Sequence, residues 1–265
     1  MKRILITLLL MTAMAHADQI GSNRVEVLLP EKFDRAKQYL VLYVLPVEAE
    51  ENHRFGDGLK VIRDLDAHNR FDLIVVAPTF DVDPWYGGRQ EEYLVKTLVP
   101  EIDRQYPTTG NAEGRLLLGF SKSGWGAFTL ILRHPDVFGY AASWDAPLMF
   151  TEKQFGIWQT DKNFGTAENM TRYLPSALLR EHADEFQKKT RLVLAGKNLF
   201  GTFTDKRFPY DGPSHTEAAH ELMEQLGVRH RYDPNLKANH SWNAKWVKPL
   251  LEMLLSISTG EASTR

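Results

Sequence analysis

The chain contains no cysteine among its 265 residues. That absence excludes disulfides, a thiol nucleophile and thiolate metal sites together. There is no long basic block, and the formal net charge is -2, which disfavours a nucleic-acid partner. No Pro/Gly/Ser-rich linker, internal repeat or low-complexity tract interrupts the chain, so a single domain is expected over 18–265. No apolar run is long enough to span a bilayer comfortably. The nearest is Ile4 to Ala13, preceded by Lys2 and Arg3 and followed by Ala15-His16-Ala17 ahead of Asp18. This is the layout of a signal peptide over 1–17, with an uncleaved anchor as the alternative. It predicts a periplasmic or secreted protein with no stable membrane insertion after cleavage. The whole chain has an ordinary globular composition, 43% hydrophobic and 25% charged, and residues 18–265 remain for the fold.

Buried-looking runs alternate with amphipathic stretches along this remainder. Strands are expected at Val25 to Leu29, Gln38 to Leu45, Asp72 to Pro78, Arg115 to Gly119, Phe138 to Trp144, Arg191 to Ala195 and Val228 to Tyr232. Helical periodicity marks 59–65, 89–106, 121–133, 215–226 and 244–257. The region about 147–186 has no strand pattern and several aromatics, and reads as a small helical cap insertion. Strands alternating with helices imply an α/β fold, a mostly parallel sheet with helices on both faces. Ligands of such sheets bind beyond the carboxyl ends of the strands.

One stretch organises the rest: Arg115-Leu-Leu-Leu-Gly119-Phe-Ser121-Lys-Ser123-Gly124-Trp-Gly126. An apolar strand runs into a bracketed serine and directly into a helix, the pattern of a nucleophile elbow. The turn needs little bulk two residues before and after the serine. Gly119 meets that need, and Ser123 meets it approximately. A serine hydroxyl needs an adjacent base, usually a histidine held by a carboxylate. His240 follows the last strand and precedes the last helix, where such a base is expected. His134 reads as a helix-end residue. His215 and His220 are poorly spaced for sharing a metal, and no His/Asp cluster shows ligand spacing, so neither a metal nor a cofactor is expected.

The chain resembles the putative-esterase family of α/β hydrolases, which includes esterase D and feruloyl esterases. The likeness rests on Tyr39-Leu-Val-Leu-Tyr-Val-Leu45, the loop Asp83-Pro-Trp-Tyr-Gly87 and Tyr93 to Tyr106. Further matches are Gly119 to Ala127, Arg133-His-Pro-Asp-Val-Phe-Gly139 and His240-Ser-Trp242, so it spans nearly all of the chain after the leader. It implies an α/β-hydrolase fold, Ser121 as nucleophile and His240 as base. Two positions depart from the family pattern: Ser123 replaces the usual elbow glycine, and Leu199 stands where the acid is expected. Asp145 and Asp205 are the alternatives for that acid. Asp145 is preferred because it ends a strand with no slack, whereas Asp205 lies farther along a loop.

An oxyanion hole requires two backbone N–H groups. Lys122, next after the serine, should give one. Val47 or Glu48 should give the other, Val47 first since Pro46 has no N–H to donate, and the Glu48 carboxylate should face solvent. Trp85, Tyr86 and Trp242 are candidate substrate-binding aromatics, suited to an acyl group or a sugar face. The reading is an exported serine esterase acting through an acyl-enzyme on a small-molecule or carbohydrate-linked ester. The alternatives are a catalytically weak protein of the same fold that binds a sugar or acyl ligand, and an acyltransferase.

Overall fold

The computed structural model describes residues 16–50, 52–196 and 214–260. Its strands are β1 (His16–Ile20), β2 (Asn23–Leu28), β3 (Leu40–Val44), β4 (Leu73–Pro78), β5 (Arg115–Phe120), β6 (Tyr140–Trp144), β7 (Leu192–Ala195) and β8 (His230–Asp233). They form one sheet in the order β1-β2-β4-β3-β5-β6-β7-β8. The pairings β1–β2 and β2–β4 are antiparallel, and every later pairing is parallel. The expected α/β architecture is therefore present, with an antiparallel hairpin on one edge.

That hairpin includes a strand the periodicity does not announce. β1 pairs with β2 from His16↔Val27 to Ile20↔Asn23, leaving Gly21-Ser22 as the turn, and Gly21 takes φ +59 as such a turn requires. The strand crosses the expected cleavage point. Removal of residues 1–17 would leave the pairs of Asp18, Gln19 and Ile20 in place.

Ten α-helices cover the sheet among the described residues: α1 (Gly58–Asp64), α2 (Ala67–Arg70), α3 (Arg89–Tyr93), α4 (Val99–Gln105), α5 (Lys122–Arg133), α6 (Thr160–Phe164), α7 (Ala167–Thr171), α8 (Pro175–Phe186), α9 (His215–Gln225) and α10 (Ala244–Thr259). The single helix expected over 89–106 is continuous, but its middle, Leu94–Leu98, is wound as a π turn. Pro100 follows at once. It has no N–H for the carbonyl four residues back, and its ring crowds that carbonyl, so a widened turn relieves the clash.

Alternate strand residues feed two cores. Val41 and Tyr43 of β3 pack with Trp125, Phe128, Leu178 and Met223 on one face. Leu42 and Val44 pack with Leu59, Ile62, Trp246 and Leu250 on the other. Residues 147–186 carry helices and no strand, and the last of these helices, α8, packs on α5. Among the described residues no helix is long and apolar enough to cross a membrane. The chain order reverses between β3 and β5, which are neighbours, so the loops leaving them open side by side at the carboxyl edge.

Candidate active site

β5 ends at Phe120, and Ser121 turns the chain into α5 with φ 53 and ψ -124. This backbone region costs about 1–3 kcal/mol for a residue with a side chain. The turn is held by the Ser121 N–H donating to Trp144 O at 3.0 Å. A Cβ on Gly119 would overlap the Ser123 carbonyl, and one on Gly124 would lie 2.7 Å from Ser143 Oγ. Ser123 is tolerated at the tight position because its hydroxyl is fully used there. Its Oγ accepts from Phe120 N at 3.0 Å and donates to Phe120 O at 2.9 Å.

The register Phe120↔Trp144 sets the end of β6 beside the end of β5. Asp145 breaks out of β6 with φ 45, its N–H donating to Ala195 O at 2.9 Å. From the other side the 234–243 loop brings in His240, whose ring packs edge-on to Phe120 at 4.5 Å. His240 Nδ1 lies 2.8 Å from Asp145 Oδ2, and His240 Nε2 lies 3.1 Å from Ser121 Oγ. A carboxylate only accepts, so Nδ1 carries the proton and Nε2 accepts from the serine hydroxyl. Of the two acid candidates, Asp145 is the one brought to this imidazole, and Asp205 lies outside the described residues.

The loop leaving β3 faces the elbow. Leu45 N–H donates to Leu118 O at 3.0 Å. The Tyr86 hydroxyl donates to Pro46 O at 2.6 Å. In a trans peptide C=O and N–H point opposite ways, so anchoring that carbonyl turns the Val47 N–H away from Tyr86. Lys122 begins α5, where backbone N–H groups lack intrahelical acceptors. Among the described residues, neither the Val47 nor the Lys122 N–H has a hydrogen-bond partner.

Asp83 joins these two segments. Its Oδ2 accepts from Lys122 Nζ at 2.7 Å, and its Oδ1 accepts from Ala49 N at 3.1 Å. Burial would raise the Asp83 carboxyl, but the Lys122 ammonium and the Ala49 N–H outweigh it and hold the group below the usual carboxylate range. Neither Asp83 nor the Lys122 side chain is singled out by the sequence, although an ionic side chain directly after an elbow serine is a signal to look for its counter-charge.

Several expectations change. Trp85 and Tyr86 are fully buried and Trp242 nearly so, which removes them as open faces for a substrate. Trp85 packs against Trp125 and Phe150 and donates Nε1–H to Trp158 O at 2.9 Å. Tyr86 is the anchor of Pro46, and a Cβ on Gly126 would run into its ring. Trp242 packs on Phe120 and Trp246, its N–H donating to Phe55 O at 2.7 Å. Large apolar rings in loops at a sheet edge are buried for their area, and these three support the site from behind. Glu48 is buried too, with Oε1 at 3.0 Å from the Arg54 guanidinium. The loop folds back and supplies that counter-charge.

His215 gains a place near the site. It is buried, and Met149 N–H donates to its Nδ1 at 3.1 Å. Burial lowers the imidazole to about 4, although the charge of Asp145 acts to raise it. His134, the expected helix-end residue, sets Nε2 2.6 Å from Glu91 Oε1 beside Arg133. The chain shows no metal-ligand spacing, yet the fold brings His220, Glu224 and His230 together.

The sheet order, the elbow and the serine–histidine–aspartate alignment define an α/β-hydrolase fold. The family model described as "putative esterase" matches residues 20–257, and the chain belongs to that family. Among curated proteins, Esterase Rv1288 of Mycobacterium tuberculosis is 31% identical over 150 residues, covering 52% of this chain and 32% of that protein. The match thus spans about a third of the relative's length. Among solved structures, a ferulic acid esterase aligns at TM-score 0.67 and 17% identity, covering 93% of this chain and 97% of its own. Mycobacterium tuberculosis MPT51 aligns at TM-score 0.68 and 15% identity, covering 94% and 99%. The Staphylococcus aureus fluorophosphonate-binding serine hydrolase FphF aligns at 0.66 and 16%, covering 89% and 92%. At these identities the solved structures establish the fold.

Proposed function

We propose that the chain hydrolyses carboxylic esters through an acyl-enzyme formed on Ser121. The observation that carries the reading is the hydrogen-bonded line from Asp145 through His240 to Ser121 Oγ. As Oγ attacks the ester carbonyl, His240 Nε2 takes its proton and Asp145 stabilises the imidazolium. The carbonyl oxygen becomes negative and is met by the N–H groups of Lys122 and Val47. His240 then returns the proton to the leaving alcohol. Water, deprotonated by the same imidazole, releases the acid.

Membership of the esterase family supports the reaction class. The substrate is a small-molecule or carbohydrate-linked ester, and the ferulic acid esterase neighbour makes feruloyl esters a first choice. The leader-like segment 1–17 supports export to the periplasm or beyond, testable by N-terminal sequencing of the chain recovered from that compartment. A fluorophosphonate followed by intact-mass measurement tests the nucleophile. One adduct per chain, located on Ser121, is expected together with turnover in a panel of acetyl, butyryl and feruloyl esters. Absence of both labelling and turnover would leave a ligand-binding protein on a hydrolase fold.

A further inference from the structure

At the amino end of edge strand β8, across the sheet from the serine, three side chains converge that ester hydrolysis does not use. His220 and Glu224 lie one turn apart on α9, and therefore on one face of it. His230 is the first residue of β8. One donor atom from each lies within 4.8 Å of the others. His220 Nδ1 is 2.8 Å from His230 Nε2, which is 3.8 Å from Glu224 Oε1.

We propose that His220, Glu224 and His230 form a site for a divalent transition metal of the zinc type, which ties β8 to α9. Zinc binds imidazole nitrogen and carboxylate oxygen at about 2.0–2.2 Å, so ligand atoms around a tetrahedral ion stand about 3.3–3.5 Å apart. The observed 2.8 and 3.8 Å bracket that spacing, and closing on the ion needs shifts of a fraction of an ångström. Two imidazoles and one carboxylate suit zinc and its neighbours. Calcium and magnesium prefer oxygen throughout.

The surroundings fit a ligand set. His230 Nδ1 is 2.8 Å from Val228 O. A carbonyl only accepts, so the proton sits on Nδ1 and the Nε2 lone pair faces His220 and Glu224. Outer hydrogen bonds of this kind orient metal-binding imidazoles. The His220 ring lies flat against Tyr232, with centroids 4.3 Å apart and planes at 24°, which restricts its rotation. Without an ion, His220 Nδ1–H donates to His230 Nε2. With one, the His220 proton moves to its Nε2 by exchange with water, and Nδ1 turns its lone pair to the metal with no net proton released. Glu224 and His230 line an open cleft, which gives an entry path and room for water as the fourth ligand.

Metal uptake by the purified, untagged chain, first stripped with a chelator, decides the matter without reference to Ser121. Equilibrium dialysis against micromolar Zn²⁺ should give one ion per chain, and Co²⁺ in its place should show the intense visible bands of a tetrahedral site. Zn²⁺ at about one hundred times its Kd should raise Tm. His220→Asn should abolish all three effects. Glu224→Gln, at an exposed side chain that will not impair folding, should weaken binding at least tenfold. No stoichiometric uptake, or uptake unchanged in a chain carrying both His220→Asn and Glu224→Gln with native circular dichroism, would overturn the proposal.

Discussion

Asp145 Oδ2 and His240 Nδ1 lie 2.8 Å apart although 95 residues separate them in the chain. The sheet makes this meeting rigid. Asp145 leaves β6 directly beside the elbow, its backbone N–H tied to Ala195 O. The backbone that carries this carboxylate is therefore fixed by strand pairing on both sides.

Asp145→Asn should lower kcat on the order of ten-thousandfold with folding intact, because the imidazole loses both its held tautomer and its counter-charge. Asp205→Asn should give a milder loss, mainly in KM. Steady-state kinetics on one chromogenic ester, with circular dichroism of each variant, makes the comparison. The reverse ranking would return the acid to the chain after β7.

Ser121→Ala should abolish fluorophosphonate labelling, whereas Ser123→Ala should label normally. The Ser123 hydroxyl is engaged on both sides by the Phe120 backbone. Its removal should appear instead as a stability loss of about 1 kcal/mol in urea unfolding, the usual worth of a hydrogen bond. Labelling of Ser121→Ala would place the nucleophile elsewhere.

Asp83 grips Lys122 and Ala49, and so fixes the two segments proposed to supply the oxyanion-hole N–H groups. Loss of a whole oxyanion donor costs about 10²–10³ in kcat, so misalignment through Asp83→Asn should cost about 10- to 100-fold. KM should change little. Lys122→Met, which removes the ammonium but keeps its own backbone N–H, should act in the same direction. A change confined to KM would assign the pair to substrate binding.

His215 gives stability a pH dependence of its own. The folded chain keeps it neutral down to about pH 4, while the unfolded chain protonates it near pH 6.5. Between those values the unfolded state binds more protons, so stability falls as pH falls. The loss should reach about 2 kcal/mol at pH 5 relative to pH 8. Asp83 and Glu91, both held below the usual carboxylate range, lose their contributions only below about pH 4. Urea unfolding of the wild type and His215→Gln across about pH 5–8 should show a steeper slope in the wild type, beyond the part that His68 and His230, also lowered by burial, give to both. Equal slopes would remove His215 as its source.

The elbow was legible because its requirements are local: small residues around one serine at a strand–helix junction. The imidazole was legible because chain order puts a loop between the last strand and the last helix at the same edge. Asp145 could be favoured over Asp205 by tether length alone. Burial was harder to read. Trp85, Tyr86 and Trp242 sit in loops, where sequence cannot distinguish a ring offered to a ligand from one packed behind the site. Glu48 turned inward because Arg54, six residues on, reaches it. The meeting of His220 and Glu224 with His230 depends on how β8 lies against α9, which no spacing rule encodes.

The carboxylate aligned with His240 is seated at the end of β6 rather than on the stretch leaving β7. Residues 197–213 hold four aromatic side chains and the second aspartate candidate. Selection for a new ester could therefore act there while the strands preserve turnover. Libraries confined to this segment should consequently yield mostly active proteins with altered preference.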